Sequence, residues 1–447
     1  MMTRAGRRRR WMAVLAVAAV LTAAGCGGSD GDSGGSGGGS AGDSTGVTAT
    51  SVKIGAHYPL TGPAAPGYSK IGPAAKAFYD YVNDNGGVNG RKIDFVYKDD
   101  AYNPANTVQV TRQLVLQDKI FAMVGGLGTP THTKVVDFLN QSKVPDLFVA
   151  SGCLCWDEPD KHPYTFGWQS DYYREGKILG KYVADTFAGK KIAYFFQNDD
   201  FGQDGVRGLD QFIPKDQVVS RQNYQPGNTD IGPQLTAIAQ AKADVVVSFS
   251  IPAYSALLKL GTLKLGISPQ LVISNVGSDP VTLSGLLEAF AKQGGSSVKG
   301  SQLIEGNISD AYLPAYLGPD AATNSWVALF KKVHDKYLPD TVFDGNTEYG
   351  MAQAYTFVQV LQKAGKDLTR ESLLKALEGG GLTGPTLTPF GYSADSHGGV
   401  TGVQVVKIVK GVPVPQGEAA TTDAATAPIT PYTGTLATAP ANGIPTS

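Results

Sequence analysis

The chain has 447 residues, with 39 acidic against 38 basic side chains and three cysteines. That balance offers no basic stripe for nucleic acid, and three cysteines cannot staple a disulfide scaffold. The length exceeds one ordinary hydrophobic core, so two folded domains are expected.

Residues 1–25 read as a lipoprotein signal peptide. Arg4 and the run Arg7, Arg8, Arg9, Arg10 make a positive start, and 11–22 is an apolar segment of suitable length. It falls short of the about 20 apolar residues that a membrane span takes. Ala23, Ala24 and Gly25 then lead into Cys26 in the manner of a lipobox, with Ala23 where leucine is usual. Cys26 is therefore the expected lipid-attachment residue; an uncleaved anchor helix is the alternative. Five of the arginines lie in this segment, so the rest of the chain is net acidic. Residues 26–49 are mostly Gly, Ser and Asp and cannot bury apolar surface, which predicts a disordered tether spanning about 25 Å. Residues 414–447, rich in Ala, Thr and Pro without apolar periodicity, predict a loose tail.

Between these ends, strands and helices alternate. Residues 52–58 read as a buried strand. Residues 73–83 read as a helix with Phe78, Tyr81 and Val82 on one side, stopped at Asn85-Gly86-Gly87. A strand follows at 92–98 and a helix at 104–117. Further strands are expected at 120–125, 146–150, 191–196, 243–249 and 270–274, and helices at 131–141, 173–187, 205–212, 231–241 and 253–264. This order implies an α/β protein with parallel sheets and right-handed crossovers. In such sheets ligands bind at the carboxyl ends of the strands.

No dinucleotide fingerprint, P-loop, zincin helix or nucleophile elbow is present. The five histidines, His57, His132, His162, His334 and His397, show no metal-ligand spacing. No cofactor, metal site or catalytic residue is expected. The most informative loop is Gly125-Gly126-Leu127-Gly128-Thr129-Pro130-Thr131, between a buried strand and a helix. Thr129 suits the N-cap and Pro130 the first helical position. The Thr129 and Thr131 hydroxyls and the free amides would cradle a carboxylate; a plain capped helix is the alternative. The acid pairs Asp99-Asp100 and Asp199-Asp200 precede helices, and capping accounts for them better than acid–base chemistry.

Several segments, in order, resemble the leucine/isoleucine/valine-binding family of solute-binding proteins. They are Pro59-Leu60-Thr61-Gly62-Pro63; 83–90; Tyr97-Lys98-Asp99-Asp100 before Pro104; 124–129; Asn198-Asp199-Asp200-Phe201-Gly202; and Gly384-Pro385 to Gly391. The resemblance covers nearly all of 52–411. It implies a non-enzymatic monomer with two doubly wound parallel-sheet lobes joined by three crossovers. Lobe 1 would be 50–170 plus 306–398, and lobe 2 would be 171–305 plus 399–413. A small polar solute, first of all a branched-chain or other amino acid, would be captured by cleft closure. The closed form would dock on an ABC permease, with the lipid at Cys26 holding the protein on the extracytoplasmic face of the membrane. A carboxylate, amide or urea-like ligand, or a sensory role without transport, is the alternative.

Carried over position by position, the resemblance places an amino-acid carboxylate on Thr129. Ser151, Gly152 and Cys153 would face the ammonium. Tyr68 would cover the ligand from lobe 1. Asp171 and Tyr172 lie at the first crossover, and Phe201, Ser250 and Tyr254 would come from lobe 2. The family usually has an acid in the loop 275–279, but Asn275 or Val276 stands at the matching place. An unpaired buried ammonium is costly. Either Asp279 or Asp171 supplies the charge, or the ligand has no ammonium.

Cys153-Leu154-Cys155 directly follows this loop. A Cys153–Cys155 disulfide would stiffen it in an oxidising compartment. Two packed thiols, or a metal or redox site with Asp157, Glu158 or His162, are the other readings.

Overall fold

In the computed structural model, which describes residues 42–445, β1 (Ser51–Tyr58) is buried along most of its length. A parallel strand covered by helices on both faces must be. It lies inside a five-stranded parallel sheet of order β2-β1-β3-β4-β5, where β2 is Lys92–Asp99, β3 Ala122–Val124, β4 Asp146–Val149 and β5 Thr165–Gly167. A second sheet holds β6 (Ile192–Gln197), β7 (Val218–Tyr224), β8 (Val245–Phe249), β9 (Gln270–Ile273) and β10 (Ile308–Ala311), all parallel. β11 (Phe390–Ser393) and β12 (Ser396–Val400) form a hairpin, and β13 (Gly402–Val409) returns antiparallel to β10. The chain therefore passes between sheets after β5, after β10 and after β12. This is the expected two-lobed α/β architecture. One boundary moves: Ile308 pairs with Val272 of β9, so the passage expected at 306 falls after Ala311.

Local chemistry shifts several helix ends. The helix Asp200–Leu209 starts earlier than the expected 205 because the Asp199 carboxylate caps it, accepting from the Phe201 amide at 3.1 Å. The helix expected at 131–141 is two short pieces, Thr129–His132 and Val136–Gln141. Asp99 and Asp100 do not cap the helix Pro104–Leu116; Asn103 does. Asp99 instead accepts from the Leu60, Thr61 and Ala101 amides and the Thr61 hydroxyl, and Asp100 pairs with His57.

The tail is not loose. β14 (Val412–Pro415) and β15 (Ala420–Thr421) both pair with β13, and β16 (Thr430–Pro431) pairs with β15. The chain then leaves lobe 2. The Trp326 indole donates to the Ala437 carbonyl at 2.7 Å, and the Tyr81 hydroxyl to the Asn442 carbonyl at 2.6 Å. Trp326 and Tyr81 belong to lobe 1 helices, Ser325–Tyr337 and Ile71–Asp84. The segment is thus a strap from lobe 2 to lobe 1. Backbone groups hold most of it, which is why side-chain periodicity gave no sign of it. The end of the supposed tether is docked as well. Arg370 donates to the Asp43 carboxylate at 2.7 Å, and Val47 bridges to Val52. The expected signal peptide, Cys26 and the rest of the expected tether lie outside the described residues.

Candidate functional site

The loops after β3, β4, β6, β8, β9 and β10 all reach one cavity of about 200 Å³ between the lobes. Side chains of both lobes close over it. The Tyr68 hydroxyl donates to the Val276 carbonyl at 2.8 Å, Gln197 Nε2 to the Tyr102 hydroxyl at 3.2 Å, and the Leu154 amide to Asp204 at 3.0 Å. Tyr102 reaches its place through a tight turn in which Ala101 and Tyr102 both have positive φ, 53° and 56°. That backbone is uncommon for bulky residues, and sparsely populated conformations of this kind collect at functional sites. Burial pushes the Tyr68, Tyr102 and Tyr172 hydroxyls up in pKa, so they remain neutral donors.

Of the residues named from sequence, Tyr68, Thr129, Tyr172, Phe201, Asn275 and Asp279 line the cavity. Thr129 is the first residue of its short helix rather than the N-cap. Gly128 takes that position because its φ of 106° suits glycine, and a Cβ there would meet Thr131 Oγ1 and Tyr102. Ser151 and Gly152 stand behind the wall. Ser151 Oγ lies 2.7 Å from Thr129 Oγ1, and the Gly152 carbonyl accepts from the Tyr172 amide at 2.7 Å.

Other candidates are committed to structure and do not line the cavity. The Thr131 hydroxyl donates to the Leu127 carbonyl at 2.6 Å. Asp171 caps the helix Tyr172–Thr186 and pairs with Arg174. Ser250 sits between Ser248 and Ser255 in a buried hydroxyl chain. Tyr254 stacks on Tyr224, with ring centroids 3.9 Å apart. Cys153 is disulfide-bonded to Cys155, and its amide donates to Ser151 Oγ at 3.3 Å. Among the described residues no group of three or more His, Cys, Asp or Glu side chains is placed to hold a metal ion.

Sequence reading missed further polar groups of the cavity wall, among them Gln169, Asp310, Asn346, Glu348 and Gln404. Asp310 adjoins Glu175 on the lobe 2 side, and both accept from the Asn275 amide, at 3.1 and 3.0 Å. Burial, then the Asp310 charge, raises the Glu175 carboxyl well above the usual range; burial pushes Asp310 up to about 6. Glu175 therefore holds the proton between them. Acids raised in the folded state bind protons that the unfolded chain has released. The pair thus costs nothing near pH 4 and costs progressively more as pH rises through about 6. Glu175→Gln mimics the protonated acid, so we expect it to stabilise the protein by roughly 1–3 kcal/mol at pH 7.5 and little at pH 4.5. Urea unfolding at both pH values checks this; an equal effect at both would rule out a proton retained on Glu175.

Asp279 also lines the cavity, but its carboxylate already accepts from the Thr282 amide (2.8 Å), the Tyr316 hydroxyl (2.6 Å) and the Gly345 amide (3.0 Å). Gly345 begins a lobe 1 helix, so Asp279 joins the N-termini of helices in opposite lobes. Both acids nominated from sequence thus already serve as helix caps, Asp279 with three donors and Asp171 with Arg174.

A family model described as periplasmic binding protein matches residues 51–413. An amino acid binding protein of Pseudomonas aeruginosa is 28% identical over 209 residues, 44% of this chain and 52% of that protein. The Leu/Ile/Val-binding protein homolog 2 of Brucella abortus is 25% identical, over 45% of this chain and 54% of its own length. The chain thus spans about half the length of these first curated relatives. A Leu/Ile/Val-binding protein homolog 1 of Brucella suis aligns more fully, at 22% identity over 80% of this chain and 91% of its own. Among solved structures, a fatty acid ABC transporter substrate-binding protein from Thermomonospora curvata superposes with a TM-score of 0.71 at 22% identity, covering 86% of this chain and 95% of that one. A branched chain amino acid ABC transporter protein from Thermus thermophilus with bound valine gives 0.71 at 20% identity, covering 84% and 97%. At such identities these structures share the fold.

Proposed function

We propose that this chain, which belongs to the periplasmic binding protein family, captures a small solute between its lobes as the extracytoplasmic binding component of an ABC importer. The observation that carries the reading is the cavity itself, walled by strand-end loops of both lobes and closed by Tyr68 and Tyr102. An amino acid is the first candidate, in keeping with the names of the Pseudomonas and Brucella relatives. Its carboxylate would take the Thr129 hydroxyl in place of Ser151. Binding without turnover is expected, with a permease as the membrane partner and no cofactor. No helix among the described residues is long and apolar enough to cross a membrane. Attachment would come from lipid on Cys26; Cys26→Ala should then move the protein to the soluble fraction.

Native mass spectrometry and thermal shift with the twenty standard amino acids and short carboxylates and amides test the capture. A co-purified solute or a raised melting temperature is expected; silence across the set would end the proposal. For a carboxylate ligand, Thr129→Ala should weaken binding by about 1.5–3 kcal/mol, the scale of a hydrogen bond to a charged group. Unchanged affinity by calorimetry would remove Thr129 from the site.

A further inference from the structure

Glu348 has no visible task in the fold. It sits in the first turn of the buried helix Gly345–Ala364, is 1% exposed, and lines the cavity. Its Oε1 is buried and has no hydrogen-bond partner. An unpartnered carboxyl oxygen in such a place costs free energy whether the group is charged or protonated. Its neighbours in sequence and space offer no relief. The Tyr349 hydroxyl is spent on Gln169 Oε1 at 2.9 Å. Among the described residues no lysine, arginine or histidine lines the cavity, and its other ionisable acids are Asp279 and Asp310. Asp279 has three donors, and Asp310 has the Asn275 amide and side chain. Glu348 is the wall acid left with an empty acceptor. The rings of Tyr68, Tyr312 and Tyr349 also line the cavity, and aromatic faces attract cations.

We infer that Glu348 receives a positively charged amino group of the captured solute. This rests on the solute-capture reading and narrows it: the solute is an amine or amino acid with an apolar body, since a simple carboxylate would find wall acids and no facing cation. The ammonium partner thus comes from lobe 1, one helical turn into Gly345–Ala364, instead of from the loop after β9.

The test compares wild type with Glu348→Gln by calorimetry. The probes are the twenty standard amino acids, 3-methylbutylamine (amine only) and 4-methylpentanoate (carboxylate only). Wild type should prefer ammonium-bearing probes, and E348Q should bind them roughly 10- to 100-fold more weakly, as for a lost hydrogen bond between charged groups. The ligand-free variant should melt no lower than wild type, because a buried acid has become a neutral amide. Two results would overturn the inference while leaving solute capture standing: tightest binding of 4-methylpentanoate by wild type, or equal affinity of E348Q and wild type for the ammonium-bearing probes. Binding of none of the probes by wild type would remove the capture of amino acids and, with it, this inference.

Discussion

Replacing Lys177 by Met in the full chain is expected to cost about 2–3 kcal/mol, and the same replacement in a chain ending at Gln416 to cost almost nothing. Lys177 belongs to the helix Tyr172–Thr186 and is 2% exposed. Its ammonium lies within hydrogen-bond reach of the Asp423 carbonyl and carboxylate, at 3.2 and 3.3 Å, and of the Ala425 and Ala427 carbonyls, at 3.1 and 3.0 Å. Those acceptors all come from the strap. Asp423 folds the strap for this purpose, its carboxylate accepting from the Ala425 and Ala427 amides at 3.0 and 2.9 Å. With Met at 177 the acceptors are left facing a thioether, and each unsatisfied buried group carries its own desolvation cost. Without the strap, Lys177 faces water, and its loss matters little. Removing 417–447 should itself cost only about 2–4 kcal/mol, because the ordering entropy of the strap offsets much of its bonding. The four proteins form a double-mutant cycle readable by urea unfolding. Additive effects would mean that the strap is not docked on Lys177. Because the strap continues to Trp326 and Tyr81 in lobe 1, shortening it should also ease lobe opening and speed ligand release.

The strap shows where the sequence stopped being legible. Strands such as Ser51–Tyr58 and Val245–Phe249 announce themselves as apolar runs between turn signals, and the loops that follow them could be picked out as binding loops. Thr129, Tyr68, Phe201 and Tyr172 were found in that way, with the family resemblance. A strap held through its backbone carbonyls leaves no such mark, since any residue supplies a carbonyl. The helix Gly345–Ala364 was silent for a different reason. Nearly every residue in it is buried, so it lacks the one-sided stripe by which surface helices are recognised, and Glu348 was hidden with it. Asp279 and Asp171 misled because an acid near a helix start reads equally as a cap or as a ligand group. Only the distances to the Thr282 and Arg174 amides, 2.8 Å in each case, decide for the cap.

The second large effect comes from histidines whose spacing in the sequence gives no sign that they meet. Histidines 75 positions apart meet inside lobe 1: His57 Nε2 lies 2.8 Å from His132 Nδ1. Their outer nitrogens each meet a carboxylate at 2.8 Å, His57 with Asp100 and His132 with Asp146. All four side chains are fully buried. Each of the three links in series takes one proton, so the two rings and the two carboxylates form a single buried hydrogen-bonded chain. His132→Leu breaks the series in the middle and leaves Asp146 with only the Thr165 hydroxyl at 2.9 Å. A loss of about 3–5 kcal/mol is expected, as when one partner of a buried charge pair is removed. A loss below 1 kcal/mol in denaturant unfolding would show that the four groups are not coupled.

Burial, ahead of the opposing pull of Asp100, lowers the His57 pKa below its ordinary value. The unfolded chain, titrating near about 6.5, then binds the extra proton first. The contribution of His57 is therefore complete above that pH and declines as the pH falls below it. Glu175, Asp310 and the other raised acids act in the opposite sense, so the effect must be read as the difference between wild type and His57→Gln, which should shrink from pH 7.5 to pH 5. The consequence reaches the ligand. A Cβ on Gly126 would come within 2.7 Å of His132 Nδ1 and 2.8 Å of His57 Nε2, so the loop that carries Thr129 rests directly on the paired rings. His132 also meets the edge of Trp156, beside the Cys153–Cys155 turn. Disturbing the rings should therefore lower solute affinity even in a variant stabilised elsewhere.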